Sequence, residues 1–307
     1  MLQNKKVIIL MATYNGAPFI REQLDSIINQ TYDNIEIMVR DDGSTDGTRE
    51  ILSEYERKGS IKVTYGENIG VVKGFFWLVE NAKEADYYSF ADQDDIWLPD
   101  KISRAVECLE KRDNDLPQVY FSSFDFCDAQ MNPIRSAPTL RQSNSLVRVL
   151  VGSHLAIGFT LVFNREIKKI IDKTAPFDLK IYGHDYWITL LALTFGELVY
   201  DPTVTAKYRR HEHNVSNYKV NFFELQRERI KKFIINNDQK IIIDSAYHFH
   251  HLYKSQMKEE KRKKFELFIN REYSLKKALK KCFLPERYRD KLFDEIGLRV
   301  LFLIGKM

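Results

Sequence analysis

The chain is predicted to fold as an α/β protein: a mostly parallel sheet with helices on both faces, followed by a helical C-terminal extension. Three observations lead there. Over the first third, short β-rich runs alternate with stretches of helical apolar spacing, the pattern of parallel strands joined by helical crossovers. Polar clusters follow those runs directly, at the strand ends where such sheets gather ligands. From about Phe222 onward nearly every segment has helical periodicity, with a single proline, Pro285.

Taken in order, residues 6–12 form a first strand, and residues 18–29 a helix carried by Phe19, Leu24, Ile27 and Ile28. Residues 35–40 repeat the strand pattern and residues 48–58 the helix, through Ile51, Leu52 and Tyr55. Strands follow at 61–65 and 87–91, with a helix at 70–85 between them. The clusters TYNG, DDGSTDGT, ENIG and DQDD close these four strands and so point to one rim. Beyond Val119 the pattern is mixed, with strands at 119–124 and 158–164 and a helix at 145–150. A domain boundary is expected between Arg210 and Phe222, dividing a nucleotide-binding and catalytic domain, 1–217, from a basic helical region, 218–307.

The 307 residues are 44% apolar, enough for a substantial core. Three scattered cysteines form no CxxC pair, which argues against a disulfide framework or a zinc knuckle and for a cytoplasmic setting. The first residues read as a strand rather than a signal peptide, and no segment approaches the roughly 20 apolar residues of a membrane span. The glycosylation-like Asn214-Val215-Ser216 is accordingly discounted. Charge is uneven. Residues 1–218 hold 25 Lys/Arg against 31 Asp/Glu, whereas the remainder holds 22 against 12. The basic tail contains no RNA-recognition motif, and no nucleic-acid partner is expected.

The stretch FADQDDIW brings three acids together directly after an apolar run. Clustered carboxylates repel and raise one another's pKa unless a cation or hydrogen-bond donors compensate. An isolated acidic turn reads as solvated loop or helix cap, but this one shares a rim with DDGSTDGT and lies beside Trp97. Mg²⁺ or Mn²⁺ bridging a diphosphate is the expected compensation. Spacing excludes rivals. Ile96 and Trp97 stand where an EF-hand needs another ligand and glycine, Ser44 interrupts an aspartyl-phosphatase pattern, and no Walker A or G-x-G-x-x-G occurs.

ILMATYNG, VRDDGSTDGT, GENIG and FADQDDIW, in this order, resemble the nucleotide-sugar-binding half of family 2 glycosyltransferases with the Rossmann-like GT-A fold. The likeness runs over residues 6–217. Further on, GFTLVFNRE, YGHDYWI and YRRHEHNVS look like the acceptor-side strand, catalytic-base segment and closing loop of bacterial polysaccharide members. The resemblance implies that Thr13, Tyr14 and Asn15 line the nucleotide and that Asp41 accepts from a pyrimidine imide. Asp42, Asn68, Gly70 and Gln93 fall among the donor-site positions, and Lys73 is either a phosphate contact or surface charge. Asp92 belongs at the ribose and metal, and Asp94 is the direct metal ligand. Asp185 is the catalytic base, with Asp178 and Asp95 as substitutes. Helix capping is the competing reading for Asp42, Ser44 and Asp46, and for Asp185. Arg209 and His211, with Arg210 and His213, would close over the diphosphate, the competing reading being a basic surface loop. His184 reads as a spacer, and His154 as an acceptor-side candidate.

The implied reaction is inverting, metal-dependent sugar transfer by single displacement. Within the family, ADQDDIW and HDYW resemble rhamnosyltransferases of cell-wall polysaccharide synthesis, implying dTDP-L-rhamnose as donor and a polyprenyl-diphosphate-linked saccharide as acceptor. A UDP-sugar donor and, outside the family, a nucleotidyltransferase remain alternatives. In the tail, SLKKALKKCFL places Leu275, Ala278, Leu279, Cys282 and Phe283 on one helical face, with Lys276, Lys277, Lys280 and Lys281 around it. Such a helix either packs on the protein or a second subunit, giving a homo-oligomer, or holds the chain on an anionic membrane surface at the inner face of the cell membrane.

Overall fold

A computed structural model describes residues 5–140, 144–153, 155–174, 179, 181–212, 238–269 and 273–305. His154, Asp178, His213, Asn214 to Ser216 and the division expected at 217/218 lie outside these residues. The chain separates into two compact units. The first comprises Met1–Asn144, Ala156–Asp178 and Gly183–His211, and the second Ser145–Leu155, Leu179–Tyr182 and Glu212–Met307.

In the first unit, β1 (Val7–Thr13), β2 (Ile35–Asp41), β3 (Lys62–Tyr65) and β4 (Tyr87–Ala91) pair in the order β3-β2-β1-β4, all parallel. The crossovers are α1 (Ile20–Ile28), α2 (Thr48–Arg57) and α3 (Val71–Asn81). Parallel strands end on one side, so the four polar clusters share a rim, as the alternation predicted. Beyond β4 the sheet continues through β8 (Leu161–Asn164), β6 (Gln118–Cys127), β9 (Glu197–Arg209) and the two-residue β5 (Ile96–Trp97), with β7 (Pro133–Ser136) on β6. β8 runs antiparallel to β4 and β6, whereas β9 runs parallel to β6.

Side-chain alternation sorts the core. Val7, Ile9 and Met11 join Ile20, Leu24, Leu52 and, from α4 (Lys101–Glu110), Ile102, Ala105 and Leu109 in one buried cluster. On the other face, Phe90 packs against Phe75 of α3 and Phe163 of β8, with ring centroids 5.0 and 5.1 Å apart. Helices α6 (Arg165–Thr174) and α7 (His184–Phe195) complete this unit. Residues 158–160, expected as strand, instead make one 3₁₀ turn leading into β8.

Among the described residues, the second unit contains α5 (Leu146–Leu150) and four further helices: α8 (Asp238–Tyr253), α9 (Glu259–Phe268), α10 (Leu275–Cys282) and α11 (Leu292–Leu303). Arg148 of α5 is buried and makes two parallel hydrogen bonds to Asp290, at 2.9 and 2.8 Å. Such a bidentate guanidinium–carboxylate pair fixes direction as well as distance. Glu295 of α11 is likewise buried but satisfied, accepting from the backbone N–H groups of Tyr288 and Arg289 and from Arg299 Nε. No described helix is long and apolar enough to cross a membrane.

Candidate active site

The rim begins where β1 ends. Asn15 adopts a left-handed conformation, φ 49°, which asparagine tolerates better than most residues. Its backbone N–H donates to Ser44 Oγ and its Oδ1 accepts from the Thr45 N–H, both at 2.9 Å. Gly16 N–H donates to Thr48 Oγ1 and Ala17 N–H to Asp46 Oδ2. TYNG and DDGSTDGT are thereby stitched into one surface. Gln93 ties in the third segment: its Oε1 accepts from Thr13 Oγ1 at 2.6 Å and from Tyr14 N–H at 2.9 Å, and its Nε2 donates to the Tyr14 carbonyl at 3.1 Å. A Cβ on Gly16 would run into that carboxamide and displace it from its hydrogen bonds to Thr13 and Tyr14.

The paired acids after β2 point to different tasks. Asp41 is fully buried; Oδ1 accepts from Ser44 N–H at 3.1 Å and Arg49 Nε at 2.7 Å, and Oδ2 from Ser44 Oγ. Arg49 also lies over the Tyr65 ring. Asp42 pairs with buried Arg40 and accepts from the N–H groups of Ile69 and Gly70, at 3.2 and 3.1 Å. Burial lowers the Arg40 pKa. Asn68 Oδ1 also receives the Gly70 N–H, and Gly70 itself has φ 85°, where a side chain is strained. Asp42, Asn68 and Gly70 thus form the turn that starts α3, while Lys73 stands exposed on its first turn. Asp46 takes the Thr48 N–H at the start of α2, so capping there belongs to Asp46, whereas Ser44 is committed to Asp41 and Asn15.

Four carboxylates gather beyond β4. Asp92 is half-buried, and its pKa is pushed up to about 8 by burial, then by the charges of Asp94 and Asp185. Asp95 is fully buried; Oδ1 accepts from the Arg209 N–H at 3.1 Å, Oδ2 has no hydrogen-bond partner, and burial with Asp94 and Asp92 pushes its pKa well up. That enclosure leaves Asp95 no access to an acceptor. Asp94 Oδ2 lies 2.8 Å from His211 Nε2, and the His211 ring stacks on Phe19 at 4.4 Å. Arg209 is buried and its guanidinium is held on three sides: Nε donates to the Asp94 carbonyl, Nη1 to the Ala129 carbonyl, and Nη2 pairs with Glu22.

Asp185 enters this cluster from α7. Gly183 precedes the helix, Asp185 is its second residue, and its Oδ1 accepts from the Tyr186 N–H at 2.7 Å. The helix therefore starts two residues earlier than the capping reading required. His184 is buried, stacked on Phe75 at 4.0 Å and edge-on to Phe90 at 4.9 Å, and burial lowers its pKa. A neutral ring packed there fixes the start of α7, and with it Asp185.

This donor set suits a hard divalent cation. It offers carboxylate oxygens only, Asp95 keeps an orphaned oxygen, and Asp92 and Asp95 have pKa values raised first by burial and then by neighbouring negative charge, both of which a bound cation would offset. No group of three or more described His, Cys, Asp or Glu residues forms a ready-made shell. A cation held by one or two of these acids would take its other ligands from phosphate and water, as Mg²⁺ commonly does.

A sequence model of the family described as glycosyl transferase family 2 matches residues 8–170. The chain belongs to glycosyl transferase family 2. Among its relatives, an uncharacterized glycosyltransferase of Rickettsia typhi is 33% identical over 71% of this chain and 68% of its own length. The dTDP-rhamnosyl transferase RfbG of Shigella flexneri is 31% identical over 69% of this chain and 75% of its own. Solved structures of similar fold include Staphylococcus aureus TarS with UDP-GlcNAc, at TM-score 0.53 and 18% identity, covering 85% of this chain and 78% of that one. The mannosyltransferase PcManGT of Pyrobaculum calidifontis, with GDP-Man and Mn²⁺, has TM-score 0.52 and 16% identity over 92% of this chain and 88% of its own. The GT-A fold expected from the motifs is therefore the observed one.

Within this family 2 glycosyltransferase, the fold brings Asp92, Asp94 and Asp185 together and joins Thr13, Tyr14 and Asn15 to Gln93 and Ser44. It keeps Asp42, Asn68 and Gly70 in a neighbouring turn. Arg209, expected to reach a diphosphate, is turned in this arrangement toward Glu22, the Asp94 carbonyl and Ala129. Sequence reasoning missed Glu22, Phe19 and Arg49. Arg49 had a visible cue, a cation seven residues after the acid pair, whereas Glu22 and Phe19 reveal their role only once Arg209 and His211 arrive from the last strand.

Proposed function

We propose that the protein is an inverting, metal-dependent glycosyltransferase that moves L-rhamnose from dTDP-L-rhamnose to a hydroxyl of a lipid-linked saccharide. The observation that carries the reading is the acid loop after β4, tied by Gln93 to the end of β1 and by Asp94 and Asp95 to His211 and Arg209, with Asp185 of α7 among the charges that act on Asp92. A candidate base thereby stands beside candidate metal ligands. The rhamnosyl donor is supported by similarity to RfbG.

Sugar transfer develops positive charge at the anomeric carbon while the leaving diphosphate gains negative charge. Asp94 and Asp92 would hold the cation, which when bound supplies positive charge to that leaving group. Thr13, Tyr14 and Asn15 face the nucleotide from the end of β1, held in place by Gln93 and Ser44. Asp185 takes the proton of the acceptor hydroxyl. The Tyr186 N–H on its Oδ1 fixes the carboxylate and leaves Oδ2 for the acceptor. Displacement from the face opposite the diphosphate inverts the anomeric centre. His211, stacked on Phe19 and bonded to Asp94, covers the acid loop from the β9 side.

The test is a panel of dTDP-L-rhamnose, UDP-glucose, UDP-galactose and UDP-N-acetylglucosamine, each offered with a lipid-linked saccharide and Mn²⁺ or Mg²⁺. Release of dTDP alone, abolished by chelation, is expected. UDP release would move the donor to a UDP-sugar, full activity in excess chelator would overturn the metal, and pyrophosphate from a nucleoside triphosphate would overturn sugar transfer.

A further inference from the structure

The two C-terminal helices, α10 and α11, are packed inside out for a protein surrounded by water. On α10 the inward residues are Ala278 and Lys281; Lys281 is only 5% exposed and sits over the rings of Phe268 and Phe302, 5.4 and 5.2 Å from their centroids. Leu275, Leu279 and Phe283, one helical turn apart, face outward, with Phe283 78% exposed. The apolar stripe legible in the sequence is thus split: Ala278 turns in and its larger members turn out. α11 repeats the arrangement. It buries Glu295 with Leu298 and Phe302, while Leu292, Ile296 and Val300 form an exposed stripe and Phe293 is 90% exposed. The helices lie side by side, joined by Cys282 Sγ donating to the Arg299 carbonyl at 3.1 Å and by Tyr273 donating to the Leu303 carbonyl at 2.8 Å. Exposed apolar side chains in such concentration mark an interaction surface.

The charges around this surface identify the occupant. Over residues 273–283 and 291–305, every charged residue in the exposed class is a lysine, Lys276, Lys280 and Lys291, and the exposed acid just before α11, Asp290, is engaged by Arg148. The two acids in these stretches, Asp294 and Glu295, are half-buried and buried. A protein partner of mixed charge would not call for this one-sided rim, whereas leucine and phenylalanine flanked by lysine is the composition of a helix lying in a lipid headgroup region. We propose that α10 and α11 form a docking surface for an anionic lipid bilayer, apolar side chains entering the acyl boundary and the three lysines meeting lipid phosphates. The surface is independent of the sugar-transfer reading. It needs neither the donor site nor the metal.

The experiment uses the full chain with vesicles of phosphatidylcholine alone or with a third phosphatidylglycerol, read by cosedimentation. Binding to the anionic vesicles that weakens with salt is expected. Each exposed lysine near such a surface contributes about a fivefold factor, so the combined Lys276→Gln, Lys280→Gln and Lys291→Gln variant should bind on the order of a hundredfold more weakly. The Phe283→Ser, Phe293→Ser variant should lose the binding that persists at high salt. All five positions are solvent-exposed, and an unchanged circular dichroism spectrum confirms folding. A parent chain that stays in solution with anionic vesicles overturns the proposal, as does binding by both variants equal to that of the parent. A parent dimer in sedimentation velocity that Phe283→Ser, Phe293→Ser converts to monomer assigns the surface to a second copy and also overturns it.

Discussion

Asp92→Asn should make the metal-free protein more stable while abolishing turnover. The Asp92 carboxyl has a pKa raised from 3.8 to about 8 in the folded chain. Between those values the folded state holds a proton that the unfolded state has released, so parent stability is complete below about pH 4 and falls as pH rises toward 8. A four-unit shift corresponds to a ceiling of about 5 kcal/mol at roughly 1.36 kcal/mol per unit. Asp92 is half-buried, and solvent screening with local relaxation brings the realistic gain at pH 8 to about 2 kcal/mol. Removing that one titration should raise the melting temperature at pH 8 by about 5 °C and leave it nearly unchanged at pH 4.5. Thermal unfolding of both proteins across this range, with chelator present, measures the effect. Mn²⁺ with nucleoside diphosphate should then stabilise the parent more than the variant, because a ligand selective for the folded state adds to stability by mass action. A parent whose stability is flat from pH 4.5 to 8, or an Asp92→Asn protein no more stable at pH 8, would refute the view of this loop as charge-crowded and cation-seeking.

Three other changes address separate parts of the molecule. Asp185→Asn should retain donor affinity within about twofold by calorimetry while transfer falls at least about a hundredfold in a radiolabelled-sugar assay. Asp94→Asn should shift the Mn²⁺ concentration for half-maximal activity upward by tenfold or more, about the loss expected for one metal-ligand contact; an unchanged metal titration would remove Asp94 from the ligand set. Lys101 is fully buried over Trp97, with no hydrogen-bond partner for Nζ and a pKa drawn down to about 7 by burial. Parent stability therefore gains from this lysine's titration as pH rises from about 7 toward 10.5, because the unfolded state binds the extra proton in that window. Lys101→Met should add about 2 kcal/mol at pH 7 and flatten that part of the profile in urea titrations; a destabilised variant would show that the ammonium is better accommodated than its enclosure implies.

The four parallel strands were legible because their apolar runs are short, local and closed by turn-forming clusters, and DQDD was legible because three acids after such a run demand compensation. β9 was not. It contains Pro202, alternates imperfectly and pairs with β6 through two register shifts, so its strand character depends on neighbours rather than on its own pattern. Asp41 shows a different limit: an acid at a strand end reads alike whether it is open to a ligand or, as here, buried beneath Ser44 and Arg49. In the tail, helical spacing identified an amphipathic segment but did not show that Ala278 and Lys281 turn inward while Leu275, Leu279 and Phe283 face outward. The rings of Phe268 and Phe302 that accommodate Lys281 come from other helices, and no periodicity within one segment reveals them.

The position of Arg209 has a consequence for the order in which the molecule is made. Its guanidinium grips Glu22 across 187 residues of chain, and its backbone N–H closes on Asp95 across 114. A nascent chain leaving the ribosome could complete β1 to β4, with their short-range crossovers, well before β9 exists. During that interval the acids after β4 have neither Arg209 nor His211 beside them. Loop closure over such separations is slow and comes late, so assembly of the acid loop should be the final, rate-limiting stage of folding for this unit.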